Sequence, residues 1–148
     1  MSRDPQALDP AARSRSRRRA LQALYAWQMS GNGMAAVIRQ FEHEQDMQVA
    51  DLEYFEDLLR GVERNVALLD AALRPHLDRE VEQVDPIERA VLRMATYELK
   101  FRLDVPYRVV LNEAIEVTKR FGADHGHSYV NGVLDALAGD LRALEKTG

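Results

Sequence analysis

Apolar residues recur along this chain at spacings of three and four, as helices with one buried face require. After the first dozen residues, Val, Ile and Thr nowhere alternate strictly enough for a half-buried strand. The first predicted helix opens at Asp9-Pro10, a capping residue followed by the residue best tolerated in a first turn. It carries Ala20, Leu21, Leu24 and Trp27, with Tyr25 at the edge of the set, and Gly31-Asn32-Gly33 stops it. Met34, Val37, Ile38 and Phe41 form the face of a short second helix ending near Asp46. The third begins near Asp51 and carries Leu52, Phe55, Leu58, Leu59, Val62, Val66, Leu69 and Leu73, interrupted only by Gly61 and ended by Pro75.

Asp85-Pro86-Ile87-Glu88 has the form of a capping box, with Asp85 accepting from first-turn amides and Glu88 reaching back. Ala90, Val91, Met94, Ala95 and Leu99 then point inward. Asp104-Val105-Pro106 opens a fifth helix burying Val110, Leu111, Ala114, Ile115, Thr118 and Phe121, and Gly122 closes it. The last helix carries Tyr129, Val130, Val133, Leu134, Leu137 and Leu141. The fold class is therefore all-α. Residues 1–12 read as a flexible arm, 13–142 as one domain with subdomains of about 13–76 and 85–142, and 143–148 as a tail. The charged stretch from Pro75 to Val84 is the expected subdomain boundary.

At 148 residues, the chain suits one compact domain or two small subdomains sharing a core. With 46% hydrophobic and 30% charged residues it can fill a core and cover a surface. The absence of cysteine removes disulfides and thiolate chemistry and fits a reducing compartment. No apolar run approaches the roughly 20 residues that span a bilayer, and no signal-peptide core follows the basic N-terminus. A cytoplasmic location without membrane attachment is the expectation.

Several chemistries find no residues to carry them. Gly31-Asn32-Gly33-Met34-Ala35-Ala36 matches a dinucleotide loop in letters, but a helix precedes it where a strand is needed. His43, His76, His125 and His127 lack zinc-ligand spacing, and Glu113 and Glu116 lack the Glu-x-x-His companion of di-iron bundles. No nucleophile elbow or phosphate-binding Gly-Lys-Ser motif occurs. No catalytic residue, metal or cofactor is expected, and the chain does not read as an enzyme.

Charge changes the picture more than its net value of −4 suggests. Residues 1–20 hold six Arg against two Asp, a local +4, while residues 42–98 hold 15 acidic residues against six Arg. A basic arm suits nucleic acid, and an acidic middle suits a basic protein or simply solvent. Five of the seven residues from Arg13 to Arg19 are Arg, and helical rotation spreads them around most of the circumference. Tyr25 and Trp27 follow, with Arg18, Leu21, Gln22 and Tyr25 sharing a flank. Guanidinium groups beside aromatic rings suit single-stranded RNA, where phosphates need charge and splayed bases need stacking surfaces. The plainer alternative is a solubilising or disordered tail; Trp27 itself reads as core, on the apolar side with Leu24. A second such group comprises Lys119, Arg120, His125, His127 and Tyr129, where the start of the last helix offers amides to a phosphate; an ordinary turn with Tyr129 buried is the alternative.

Leu21-Gln22-Ala23-Leu24-Tyr25-Ala26-Trp27-Gln28 and Ala90-Val91-Leu92-Arg93-Met94-Ala95-Thr96-Tyr97-Glu98-Leu99 resemble signature stretches of the NusB family. Asp104-Val105-Pro106-Tyr107, Asn112-Glu113-Ala114-Ile115-Glu116, Phe121-Gly122-Ala123 and Tyr129-Val130-Asn131-Gly132-Val133-Leu134-Asp135 continue the likeness in order, over about residues 13–138. The resemblance implies an all-α fold of two perpendicular helical subdomains and a role in processive transcription antitermination on ribosomal RNA operons. It implies pairing with NusE, a small-subunit ribosomal protein, binding of the boxA element of nascent RNA, and membership of the RNA polymerase antitermination complex. By position the RNA surface falls on Arg13, Arg15, Arg17, Tyr25, His125 and Tyr129, to which the basic groups add Arg18 and Lys119. The NusE surface falls around Glu88 and the helix it starts, including Arg89. His125 stands where relatives often carry an acidic or polar residue, and Arg18 and Arg19 enrich a stretch usually more mixed. A related domain is fused to RNA cytosine methyltransferases, whose catalytic cysteine and cofactor domain this sequence lacks. A homodimer stays open, as does a protein-interaction module that does not touch RNA.

Overall fold

The computed structural model of the chain describes residues 9–44, 47–48 and 50–147, so residues 1–8 of the expected arm lie outside the described residues. The described residues form α-helices joined by turns, with no strand among them. They divide into two compact units, one up to Arg60 and one from Gly61 onward. The division falls inside one helix rather than in the stretch from Pro75 to Val84.

In the first unit, α1 (Pro10–Ser30) starts where the sequence places it. The Asp9 carboxylate accepts from the amides of Ala11 and Ala12 at 3.0 and 3.2 Å, satisfying two amides that have no partner within the helix. Ala12, assigned to a flexible arm, is buried within this helix. Gly31 ends it with φ of +75°, a left-handed conformation that costs glycine little. After α2 (Met34–Glu42), Asp51 caps α3 (Leu52–Leu73) by accepting from the Tyr54 amide at 3.1 Å. Buried Ser16 of α1 fixes that cap: its hydroxyl oxygen accepts from the Asp51 amide at 2.9 Å and lies 2.7 Å from the Asp51 carbonyl oxygen. Leu52, expected to point inward, is 44% exposed.

In the second unit, α3 bends at Asn65, which has φ −118° and ψ 16°. The Asn65 side-chain amide donates to the Gly61 carbonyl at 2.8 Å, a side-chain bond to the backbone of the preceding turn. At Gly61 the Tyr97 ring approaches so closely that an added Cβ would sit 2.2 Å from it. Arg93 forks onto Asp70 at 2.9 and 2.8 Å, tying α4 (Pro86–Phe101) to the end of α3. Asp85 caps α4 through the amides of Ile87 and Glu88, as its sequence suggests. α4, α5 (Tyr107–Phe121) and α6 (Gly126–Leu141) pack on one another, and short 3-10 turns at Arg74–His76 and Val81–Gln83 lead from α3 into α4. Beyond them, residues 143–147 form a short helix, α7 (Ala143–Thr147), where the sequence suggests a tail. Arg142, only 6% exposed, donates to the carbonyls of Leu99, Glu98 and Arg102, closing the C-terminal end of α4.

Candidate functional site

The basic and aromatic residues singled out in the sequence fall into one group in each unit. On α1, successive side chains rotate by about 100°, so Arg13, Arg17, Ala20 and Leu24 share one stripe while Arg15, Arg18, Gln22 and Tyr25 share another. The first stripe is the packed one. The Arg13 guanidinium lies over the Tyr54 ring at 4.3 Å and approaches Asp51 at 3.9 Å. Arg17 lies over the same ring at 5.2 Å and donates to the Tyr54 hydroxyl at 3.3 Å. With 3% exposure, Arg17 presents almost nothing to a ligand, although the sequence places it on an RNA surface. Arg19 turns to the end of α2, where it pairs with Glu44, bonds Gln22 and lies over Phe41 at 5.1 Å.

The second stripe faces outward. Tyr25 is 37% exposed, Arg15 and Arg18 are half-buried, and no described residue forms an ion pair with Arg18. Trp27, expected in the core, is half-buried. Half-buried guanidinium groups and an open phenol ring along one helix flank can hold a phosphate and stack a base, the two things a single strand offers.

In the second unit, Lys119 and Arg120 are exposed in the last turn of α5, with Arg120 over Phe121 at 6.0 Å. His125 is exposed and directly precedes α6, without capping it through its side chain. Tyr129 is half-buried, and its hydroxyl donates to Asp78 Oδ1 at 3.2 Å while Arg79 lies over its ring at 5.1 Å. Burial, reinforced by the Asp78 carboxylate, raises the Tyr129 phenol above its ordinary pKa, so it stays a donor. Asp78 and Arg79 are site neighbours that sequence reading missed, because nothing in a turn residue's local pattern shows which distant ring it meets.

Glu88, expected to reach back to its own helix start, instead lies against Gly126, where an added Cβ would sit 2.9 Å from Oε2. It thus brings a carboxylate beside the first residue of α6, which weakens that helix start as a phosphate site. Burial raises the Glu88 carboxyl above its ordinary range; Asp85 adds to the effect and Arg79 opposes it. Arg89 is half-buried and donates to the Glu82 carbonyl at 3.2 Å. Among the described residues, no group of three or more His, Asp or Glu is placed to hold a metal ion, and no helix is long and apolar enough to cross a membrane.

Known proteins resemble this chain over most of its length. The transcription antitermination protein NusB of Xanthomonas axonopodis pv. citri (strain 306) is 65% identical over 138 residues, covering 93% of this chain and 87% of the relative. That of Stenotrophomonas maltophilia (strain R551-3) is 62% identical over the same shares. Among solved structures, T. maritima NusB superposes with a TM-score of 0.77 at 27% identity, covering 90% of this chain and 97% of that one. A crystal structure of antitermination factors NusB and NusE in complex with double-stranded RNA shares the fold, with a TM-score of 0.75 at 23% identity over 86% of this chain and 96% of that one. The profile of the NusB family matches residues 14–139, and the chain belongs to this family of transcription antitermination proteins.

Proposed function

We propose that this chain binds single-stranded RNA of the boxA type together with NusE and so supports processive antitermination within the RNA polymerase complex, with no catalytic step of its own. The observation that carries the reading is the outward stripe of α1, where Arg15 and Arg18 stand in phase with exposed Tyr25. Arg15 and Arg18 neutralise phosphates and Tyr25 stacks a base, while Arg13 and Arg17 hold the stripe in place by packing on Tyr54. In the second unit, Lys119, His125 and Tyr129 supply further contacts. Glu88 and Arg89 are assigned to NusE, a basic partner suiting a carboxylate that is only partly buried. Support comes from family membership and from a structural relative crystallised with NusE and double-stranded RNA.

A protein-interaction module without RNA contact is the second reading, favoured by the engagement of Arg13, Arg17 and Arg19 within their own unit. A gel shift of a boxA-like RNA against a scrambled one, with and without NusE, decides between them. The RNA-binding reading predicts preferential retention of the boxA-like strand, strengthened by NusE, and an affinity whose logarithm falls with log salt at about 0.7 per neutralised phosphate. Absence of any shift, with NusE binding intact, contradicts it.

A further inference from the structure

The turn between the two 3-10 segments of the second unit holds a cation that the family likeness does not account for. Asp78 and Arg79 are both exposed there, between the extended residues Leu77 and Glu80. Arg79 forks onto the Asp78 carboxylate, Nε to Oδ1 at 2.7 Å and Nη2 to Oδ2 at 2.9 Å. The same carboxylate accepts from the Tyr129 hydroxyl at 3.2 Å, and the guanidinium lies over the Tyr129 ring with its carbon 5.1 Å from the centroid. One acceptor therefore fixes both the tip of the ring and the edge of the cation above it.

An isolated pair of surface charges is held weakly. Here three groups constrain one another, and what they leave open is specific. The fork uses the Nε and Nη2 sides of the guanidinium, leaving its other N–H groups unused by Asp78. Its side chain is 43% exposed, whereas Tyr129 is half-buried beneath it. A planar cation backed by an aromatic ring and open on its outer side suits an unpaired nucleobase, since guanidinium planes stack bases as aromatic rings do. The Arg79 fork also draws the Asp78 carboxyl below its ordinary range, so the orienting group stays ionised near neutral pH.

The geometry points to Arg79 as the residue that meets a nucleobase of bound single-stranded RNA in this unit, with Tyr129 as its backing and Asp78 as its positioning residue. This rests on the RNA-binding reading above, and it puts the base contact on Arg79 rather than on Tyr129, the ring expected on the RNA surface. Lysine at this position keeps the charge and loses the plane, which separates stacking from simple phosphate attraction.

The test uses the full chain, a fluorescently labelled boxA-like single strand, and copies of that strand with one abasic nucleotide moved along it. Wild type and Arg18→Ala establish RNA binding by their salt-dependent difference. Arg79→Ala and Arg79→Lys should each weaken binding about 5-fold or more, with the salt slope of Arg79→Lys unchanged. One abasic position that weakens wild-type binding should cost Arg79→Lys nothing further, while the other positions keep their effect. Equal binding by Arg79→Lys and wild type overturns the stacking role. Tighter binding by Arg79→Ala overturns it too, since Arg79 then acts as a cover over Tyr129. A uniform loss at every abasic position in Arg79→Lys also contradicts it, leaving a structural role. If wild type fails to bind the strand, the RNA-binding reading and this inference fall together; if only the Arg79 variants behave as wild type, this inference alone falls.

Discussion

On α1, five arginines crowd into seven residues, yet Arg13 and Arg17 turn back onto Tyr54 and Arg19 onto Phe41 and Glu44. Around Tyr129, the cation over the ring is a single arginine from a distant turn, fixed by a fork to Asp78 and 43% exposed. The two regions show that charge density along a sequence and charge offered to a ligand are separate quantities. Helix phase sets the second on α1, and tertiary contact sets it at Tyr129. A guanidinium on a buried ring contributes to folding, while the same group one helical step away remains available for binding.

The comparison breaks most visibly at Arg17. Truncating it removes a charged donor and a cation over a ring in a site with 3% exposure. Arg17→Ala should cost about 3 kcal/mol in chemical denaturation, whereas Arg18→Ala should stay within about 0.5 kcal/mol of wild type. Comparable losses for both would show that phase does not divide the run.

A smaller effect is expected at the exposed ring of the outward stripe. Tyr25→Ala should reduce RNA affinity by about 1 to 3 kcal/mol in fluorescence titration, with the unfolding midpoint almost unmoved. An unchanged affinity would remove Tyr25 from the interface.

The smallest effect sharpens the description of the second region. Because burial holds the Glu88 carboxyl above its ordinary value, the fold favours its protonated form. That contribution is complete below the unfolded pKa and disappears as pH rises through the folded one. Glu88→Gln, which mimics the neutral acid, should therefore melt with wild type at acid pH and slightly above it near neutrality. The reverse order in a pair of thermal melts would show that the carboxylate is stabilised where it sits.

Local signals are legible in the sequence. Asp9 and Gly31 bound α1 and Asp85 caps α4, because caps and left-handed glycines act within a few residues of themselves. The inward phase of Arg13 and Arg17 was also present in the sequence, since steps of four, three and four join them to Ala20 and Leu24; their charge obscured it. What the sequence does not show are pairings between distant residues: Tyr54 beneath two guanidinium groups, Tyr97 against Gly61, Arg142 closing α4, and Arg79 over Tyr129. Each depends on which elements meet, and periodicity within a single element carries no information about that.

The division of the α1 arginines is tested most directly by the salt dependence of binding to a single-stranded boxA-like RNA for wild type, Arg18→Ala and Arg17→Gln, each shown to be folded by circular dichroism. Loss of a phosphate contact should lower the slope by about 0.7 in Arg18→Ala, and the slope of Arg17→Gln should match wild type. Equal reductions in both variants would contradict the account.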